Sequence, residues 1–325
     1  MSDKKQIEKL LKTAGIEING PNDFDIQIFN ENLYSRILSS GSLGLGESYM
    51  DKWWDVKNLD KFFYKILRAN LHEKFNFSLP MLLAYLKSLT FNLQSMSRSF
   101  MVGEKHYDIG NDLYKAMLGK TMAYSCGYWN KADNLDKSQI AKFDLICKKI
   151  GLKKGDNILD VGCGWGGFLK FAAENYGVKG TGITVSKEQV AMGKEFFKNL
   201  PIKIELGDYR TLTGKFDHIV SVGMFEHVGL KNYRAFMLKT REMLKDDGLL
   251  LLHTIGANES SLVSDPWLNK YIFPNGKLPS IAQISKSIED LFVMEDWHNF
   301  GADYDKTLMA WFKNFDKNWS LLKNK

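Results

Sequence analysis

Asp160, Glu226 and His253 are the side chains of this sequence best placed to hold charge or move a proton, because each closes or follows an apolar run. The first lies in Ile158-Leu-Asp-Val-Gly-Cys-Gly-Trp-Gly-Gly167, where an apolar run meets four glycines. A helical pattern (Phe168, Leu169, Phe171, Ala172, Ala173) follows at once. That order predicts a strand, a tight turn and a helix start. Glycine lets the backbone turn with positive φ and lets a ligand lie against bare peptide groups. A helix start offers unpaired N–H groups and a partial positive charge. The chemistry is that of a nucleotide-type cradle.

Gly162-x-Gly164-x-x-Gly167 also satisfies the dinucleotide fingerprint. Two residues count against NAD. Asp160 is an awkward neighbour for a pyrophosphate but a good acceptor for an ammonium group, and the strand Gly180-Thr-Gly-Ile-Thr184 does not end in a ribose-binding acid. An amino-acid-bearing nucleoside, S-adenosylmethionine, suits Asp160 better. The glycines alone leave both ligands open, and a ligand-free turn is the plain structural alternative.

The elements that must carry these residues alternate regularly. Strands are predicted at Lys179 to Thr184, Ile202 to Leu206, Phe216 to Val222 and Gly248 to Thr254, with helices at Lys187 to Leu200 and Tyr233 to Leu244 between them. Such a βαβ series predicts an α/β fold, a parallel sheet with helices on both faces, and ligands in such sheets sit at the carboxyl ends of the strands. Asp160 and Gly162, Thr184, Asp208, Glu226 and His253 all fall at those ends. Beyond them, Gly256 to Pro279 reads as an ordered flap over the site, followed by a last helix and strand within Ile281 to Trp297. The closing stretch repeats Leu308, Trp311, Phe312, Phe315, Trp319 and Leu322 at helical spacing, a core-packing stripe with membrane contact as the alternative.

Residues 1–95 read as a small, mainly helical domain and residues 96–325 as the catalytic one. The helical stripes are Ile7 to Ala14, Asn32 to Leu38 (ended by the Ser39–Gly46 stretch), Leu59 to Leu71 and Leu79 to Leu93. Core packing accounts for such stripes; lipid contact or dimerisation is the other use. Residues 94–130 hold Lys105-His-Tyr-Asp-Ile-Gly-Asn-Asp-Leu-Tyr114 and Met122-Ala-Tyr-Ser-Cys-Gly-Tyr-Trp129, many reactive or aromatic side chains on segments too broken for a long helix. A helix from Lys137 to Gly151 leads into the glycine-rich strand.

With 44% hydrophobic and 25% charged residues among 325, the composition is that of an ordinary globular protein. No apolar run approaches the roughly 18 residues of a membrane-spanning helix, and Met1-Ser-Asp-Lys-Lys-Gln lacks the apolar core of an export signal. Cys126, Cys147 and Cys163 are odd in number and not closely paired, which fits reduced cytoplasmic thiols and no metal site. A net charge of +6 without a dense basic cluster allows contact with anionic headgroups and gives no argument for nucleic acid.

In order along the chain, His106-Tyr-Asp-Ile-Gly-Asn-Asp112, Tyr124-Ser-Cys-Gly-Tyr128, Leu159-Asp-Val-Gly-Cys-Gly-Trp-Gly166, Phe225-Glu-His227, Leu252-His-Thr-Ile255, Phe273-Pro-Asn-Gly276 and Asp303-Tyr-Asp305 resemble the signatures of the cyclopropane-fatty-acyl-phospholipid synthases, relatives of the mycolic acid cyclopropane synthases. The likeness covers nearly the whole chain. It implies a class I S-adenosylmethionine-dependent methyltransferase (Rossmann-like) domain preceded by a small helical domain. The implied activity is methylene transfer to the cis double bond of an unsaturated phospholipid, at the inner membrane surface, by a possible homodimer.

By position, the resemblance implies that Cys126, Glu226, His253, Ile255 (through its backbone) and Tyr304 hold a bicarbonate that acts as the base. Tyr124 and Ser125 would line the donor, Asp160, Gly162 and Gly164 would meet its methionine part, Thr184 and Gln189 its ribose side, and Asp208 and Tyr209 its adenine. Thr184 stands where many such enzymes have an acid, and Thr184-Val-Ser-Lys-Glu-Gln189 offers the family's substitute. Singly, Cys126 reads as a small buried residue and His253 as a core histidine; Glu226 is harder to place that way, since buried acids need partners. Family members usually continue beyond Trp319-Ser-Leu-Leu-Lys-Asn-Lys325, so shielding or dimer contacts are expected to differ here. The alternatives are a methyltransferase giving a methyl branch or acting on a soluble acceptor, and an inactive lipid-binding homologue.

Overall fold

The structure is a computed structural model that describes residues 2–71, 92, 94, 111–261 and 264–323. The helix expected over 79–93, apart from Asn92, and the segment 105–110 lie outside them. The chain divides into two compact units, one of residues 1–92 with 262–274, the other of residues 93–261 with 275–325.

In the first unit, α1 (Asp3–Thr13), β1 (Gln27–Ile28), α2 (Leu33–Met50), β2 (Trp54–Asp55) and α3 (Leu59–Arg68) enclose a core of Ile7, Leu11, Ile16, Ile26, Leu33, Trp54 and Phe62. The Trp54 indole N–H is satisfied by the Leu45 carbonyl (3.0 Å) and the Ser48 hydroxyl (3.1 Å). The Ser/Gly stretch expected to end the helix at Leu38 instead kinks it. Gly41 adopts φ 57°, ψ −129°, a conformation open to glycine, and helix resumes as far as Met50.

In the second unit α4 (Asn111–Leu118) and α5 (Leu135–Lys149) precede the sheet strand β3 (Asn157–Val161). Then come α6 (Gly167–Tyr176), β4 (Lys179–Thr184), α7 (Lys187–Phe196), β5 (Ile202–Leu206), β6 (Phe216–Val222), α8 (Tyr233–Met243) and β7 (Leu244–His253). The chain returns to the first unit for α9 (Pro266–Tyr271), then closes the second with α10 (Ile281–Ile288) and α11 (Asp303–Leu322). The five strands pair in parallel in the order β5-β4-β3-β6-β7. β3 is buried on both faces, which is why Ile158, Leu159 and Val161 form an unbroken apolar run. Phe143, Ile146, Phe168 and Leu169 cover one face of the sheet core; Phe225, Tyr233, Phe236 and Met237 cover the other. The strand order reverses between β3 and β6, the switch point outside whose carboxyl ends sheets of this kind hold their ligands.

Two expectations are corrected. The strand placed within 281–297 is not formed: beyond α10 the chain turns at Asp290 (φ 62°), and Val293 stands 86% exposed with Met294 and Trp297 exposed too. Leu291 and Phe292 still pack against the sheet-covering core, but the backbone beyond them pairs with no strand, so β7 ends the sheet among the described residues. The expected flap over 256–279 is divided, because residues 264–274 belong to the first unit. There Lys270 and Tyr271 reach the Glu47 carboxylate (2.6 and 3.0 Å), and Trp267 packs where a side chain on Gly46 would otherwise be.

Candidate active site

The site is built at the carboxyl ends of β3, β6 and β7. Register sets Asp160 between Gly182 of β4 and Val220 of β6, and Val222 opposite His253. The glycine loop follows Asp160, with Gly162 at φ 81° and Gly164 at φ 56°. A β-carbon on Gly164 would meet nothing within 4 Å, so its bare face opens onto space, whereas one on Gly162 would strike Met224 at 2.5 Å. On the next strand Thr184 Oγ1 donates to the side-chain oxygen Oε1 of Gln189 (2.5 Å), and Ser186 caps α7 at Gln189. Both Thr184 and Gln189 are buried.

Beyond β6, Glu226 lies in a short 3-10 turn (Phe225–His227). Its Oε1 accepts the Ile255 N–H (2.7 Å), and its own carbonyl accepts from the Lys277 N–H (2.7 Å). Ile255 therefore holds Glu226 through its N–H, while its carbonyl accepts from the Thr254 hydroxyl (3.4 Å). His253 ends β7, half-buried, with its ring 5.1 Å from that of Phe300.

Cys126 sits on the loop 124–128, which two helices grip. From α5, Gln139 Nε2 donates to the Ser125 carbonyl (2.8 Å), Lys142 Nζ donates to Ser125 Oγ (2.6 Å), and the Ser138 carbonyl accepts from Tyr128 N (2.9 Å). From α11, Thr307 Oγ1 accepts from Gly127 N (3.0 Å) and Trp129 Nε1 (2.9 Å), and Asp303 Oδ2 accepts from Trp129 N (2.8 Å). Tyr304 belongs to the first turn of that same helix. An aromatic wall joins the glycine loop to α11: Trp165 on Tyr114 (4.9 Å), Tyr114 on Tyr124 (5.6 Å), Tyr124 on Trp311 (5.2 Å) and Trp311 on Tyr304 (6.1 Å).

Burial dominates the electrostatics. It pushes the Asp160 carboxyl up to about 7 against the pull of Lys142, and it lowers Lys142 to about 7. It raises Glu226, against the Ile255 N–H bond, and brings the His253 imidazole down to about 3, with Lys142 adding to the shift. Cys126 rises to about 11, so it is a neutral thiol donor, here to the Gly127 carbonyl (3.3 Å), and no nucleophile. The Tyr304 hydroxyl is also raised by burial, and the charges bearing on it are those of Tyr124, Glu226 and Cys126. Among the buried side-chain polar atoms that lack a hydrogen-bond partner are Asp160 Oδ1, Glu226 Oε2 and His253 Nδ1, with Gln139 Oε1 and Trp311 Nε1 beside them on the loop's supporting helices.

Such a site, a glycine cradle beside buried groups held near neutrality, sits in residues 94–325, which match the mycolic acid cyclopropane synthetase family. The chain belongs to that family. It is 52% identical over 311 residues to the cyclopropane-fatty-acyl-phospholipid synthase of Escherichia coli K12, spanning 96% of this chain and 81% of that one. Among solved structures it resembles the cyclopropane synthase MmaA2 of Mycobacterium tuberculosis, with 30% identity and a TM-score of 0.64 over 68% of this chain and 84% of that one. The mycolic acid cyclopropane synthase CmaA1, solved with SAH and CTAB, gives 33% identity and a TM-score of 0.63 over 67% and 84%. The fold is that of the S-adenosylmethionine-dependent methyltransferases.

Asp208 and Tyr209, expected near the adenine, are each held by a neighbouring side chain. Both Asp208 oxygens are held by the Arg210 guanidinium (2.7 and 2.6 Å), and the Tyr209 ring is buried against Phe236 at 5.2 Å. Sequence reasoning missed Gln139, Lys142, Thr307 and Arg210. A signal existed for two of them: Gln139 and Lys142 fall in line with Leu135 and Ile146, on the buried stripe of α5.

Proposed function

We propose that this chain transfers a methylene group from S-adenosylmethionine to the cis double bond of an unsaturated acyl chain in membrane phospholipid, with a bound bicarbonate as base. The observation that carries it is the convergence of Asp160, Glu226 and His253, each with a buried polar atom lacking a partner, on three strand ends. The 52% identity to a cyclopropane-fatty-acyl-phospholipid synthase supports the choice of substrate.

The residues fit the donor: the bare face of Gly164 takes its backbone closely, and Asp160 Oδ1 accepts its ammonium group. Tyr124 and Ser125 line it, and Thr184 with Gln189 meets the ribose. For the adenine, Asp208 is held by Arg210 and Tyr209 is packed inward, which leaves their backbone to make the contact. When bound, the donor supplies an electrophilic methyl group, whose transfer to an alkene leaves a carbocation that must lose one proton before a ring closes.

The residues also fit a small oxyanion. Glu226 Oε2 and His253 Nδ1 are buried and without partners, and Cys126 and Tyr304 remain protonated and able to donate. Bicarbonate supplies there a base that the methyl group does not consume. Glu226, raised by burial, exchanges a proton with such an anion, and neutral His253 orients it. The aromatic wall of Tyr124, Trp311 and Tyr304 excludes water and faces developing positive charge.

No described helix is long and apolar enough to cross a membrane. Peripheral binding to the membrane is supported by α3, which buries Phe62 and exposes Phe63, Tyr64 and Leu67 with Arg68 beside them. A homodimer and a cytoplasmic location belong to the same reading.

Incubation with S-adenosylmethionine and vesicles of unsaturated phospholipid, followed by mass analysis of the fatty esters, tests it. Esters gaining one CH₂ and a ring are expected. A methyl branch would move the assignment to C-methylation, and unchanged esters beside an active control enzyme would sink it.

A further inference from the structure

Lys142 is, among the described residues, the one cation with a fully buried side chain. Nothing in the reaction as described above uses it. Burying an ammonium group costs several kcal/mol unless partners recover it, and its one direct hydrogen bond is to a neutral hydroxyl, Ser125 Oγ at 2.6 Å. That bond fixes the turn between Tyr124, which lines the donor, and Cys126, which faces the oxyanion. Gln139, one turn earlier on α5, holds the carbonyl of the same residue.

The charged and titratable groups facing Lys142 come from three further elements. They are Asp160 on β3, Cys126 on the loop and His253 at the end of β7. The Lys142 ammonium thus bears on the donor's acid and on both neutral groups of the base site.

We propose that Lys142 is a positioning residue, which fixes the Tyr124–Cys126 turn through Ser125 and serves as the internal counter-charge that keeps Asp160 ready for the donor's ammonium group. The proposal rests on the assignment of Asp160 to the donor. It separates two duties: a tether, felt in turnover, and a charge, felt in the pH at which the donor site becomes competent.

The test is calorimetric titration of SAH into the wild-type chain, Lys142→Met and Lys142→Arg across pH, with kcat measured alongside. In Lys142→Met the midpoint at which SAH affinity rises should move up by about one pH unit, since an opposite charge that stabilised the carboxylate is gone, and kcat should fall at least tenfold. Lys142→Arg stays charged throughout this range, so its midpoint lies at or below that of the wild type while kcat falls. A residue that only packs would lower stability and leave the midpoint alone. An unmoved midpoint in folded Lys142→Met overturns the proposal, and absence of SAH binding to the wild type removes both it and the donor assignment. A lack of lipid product with SAH binding intact strikes only the proposed reaction. Should Lys142→Met lose its fold by circular dichroism, Ser125→Ala decides: a kcat fall of several-fold at unchanged melting temperature is expected, and wild-type kcat overturns the proposal.

Discussion

Glu226 and Asp160 are both buried acids pushed towards their neutral forms, yet they should fail differently when altered. Glu226→Gln keeps the shape and the bond from Ile255 N–H but can no longer exchange a proton. Turnover should fall by about 10² or more while SAH affinity stays within about twofold; equal turnover in steady-state assays would remove Glu226 from the chemistry. Asp160 sets a pH dependence of binding. Its carboxyl, at about 7, holds a proton on the acid side and cannot then accept an ammonium group. The donor favours the ionised form, so binding releases a proton and affinity climbs with pH until about 7, then levels. Calorimetry in buffers of different ionisation enthalpy should detect that proton. A flat profile from about pH 5 to pH 8, or one that survives Asp160→Asn, would exclude this role.

Among the elements, the glycine loop yields the cleanest structural test. An alanine at 164 must hold φ near 56°, at a cost of about 1–2 kcal/mol, but its methyl group meets no protein atom. The fold should survive with a melting temperature only a few degrees lower, while SAH binding weakens about tenfold or more, in steps of about 1.4 kcal/mol per decade; unchanged SAH binding would show that the donor does not approach that face. The loop and strands were legible in the sequence because β3 is a short apolar run that ends in glycines, and β4, β5 and β6 follow it as short segments alternating regularly with helical patterns. Local patterning misled elsewhere. Val293 and Met294 have the composition of a strand but no partner to pair with, and Ser39–Gly46 has the composition of a helix stop yet kinks at one residue. Lys142 and Thr307 were missed for another reason. Their roles come from contacts 17 and 180 residues away, to Ser125 and Gly127, which no local period encodes.

For the whole molecule, the proposed reaction requires a soluble donor to meet an acyl chain held in lipid. The exposed aromatic and aliphatic side chains of α3, with Tyr64 64% and Leu67 54% exposed, suit that contact. Replacing Phe63, Tyr64 and Leu67 together with Ser should weaken binding to anionic vesicles by about tenfold or more, which needs only about 1.4 kcal/mol, without altering SAH affinity. Wild-type co-sedimentation of the triple variant would direct the search for the membrane face elsewhere. The motifs pointed to a lipid-modifying enzyme at once. Which surface meets the lipid was not written in them, since a helical stripe looks the same whether it is covered by protein or by acyl chains.

The bond from Gly127 N to Thr307 Oγ1 has a consequence for how this chain is made. The glycine loop after β3 is in place early, but the turn that carries Tyr124, Ser125 and Cys126 waits for a clasp that emerges nearly two hundred residues later. Under the proposed reaction, a nascent chain therefore owns the bare cradle well before the turn that would complete the donor and base sites is fastened. Competence for that reaction is acquired late and arrives with α11.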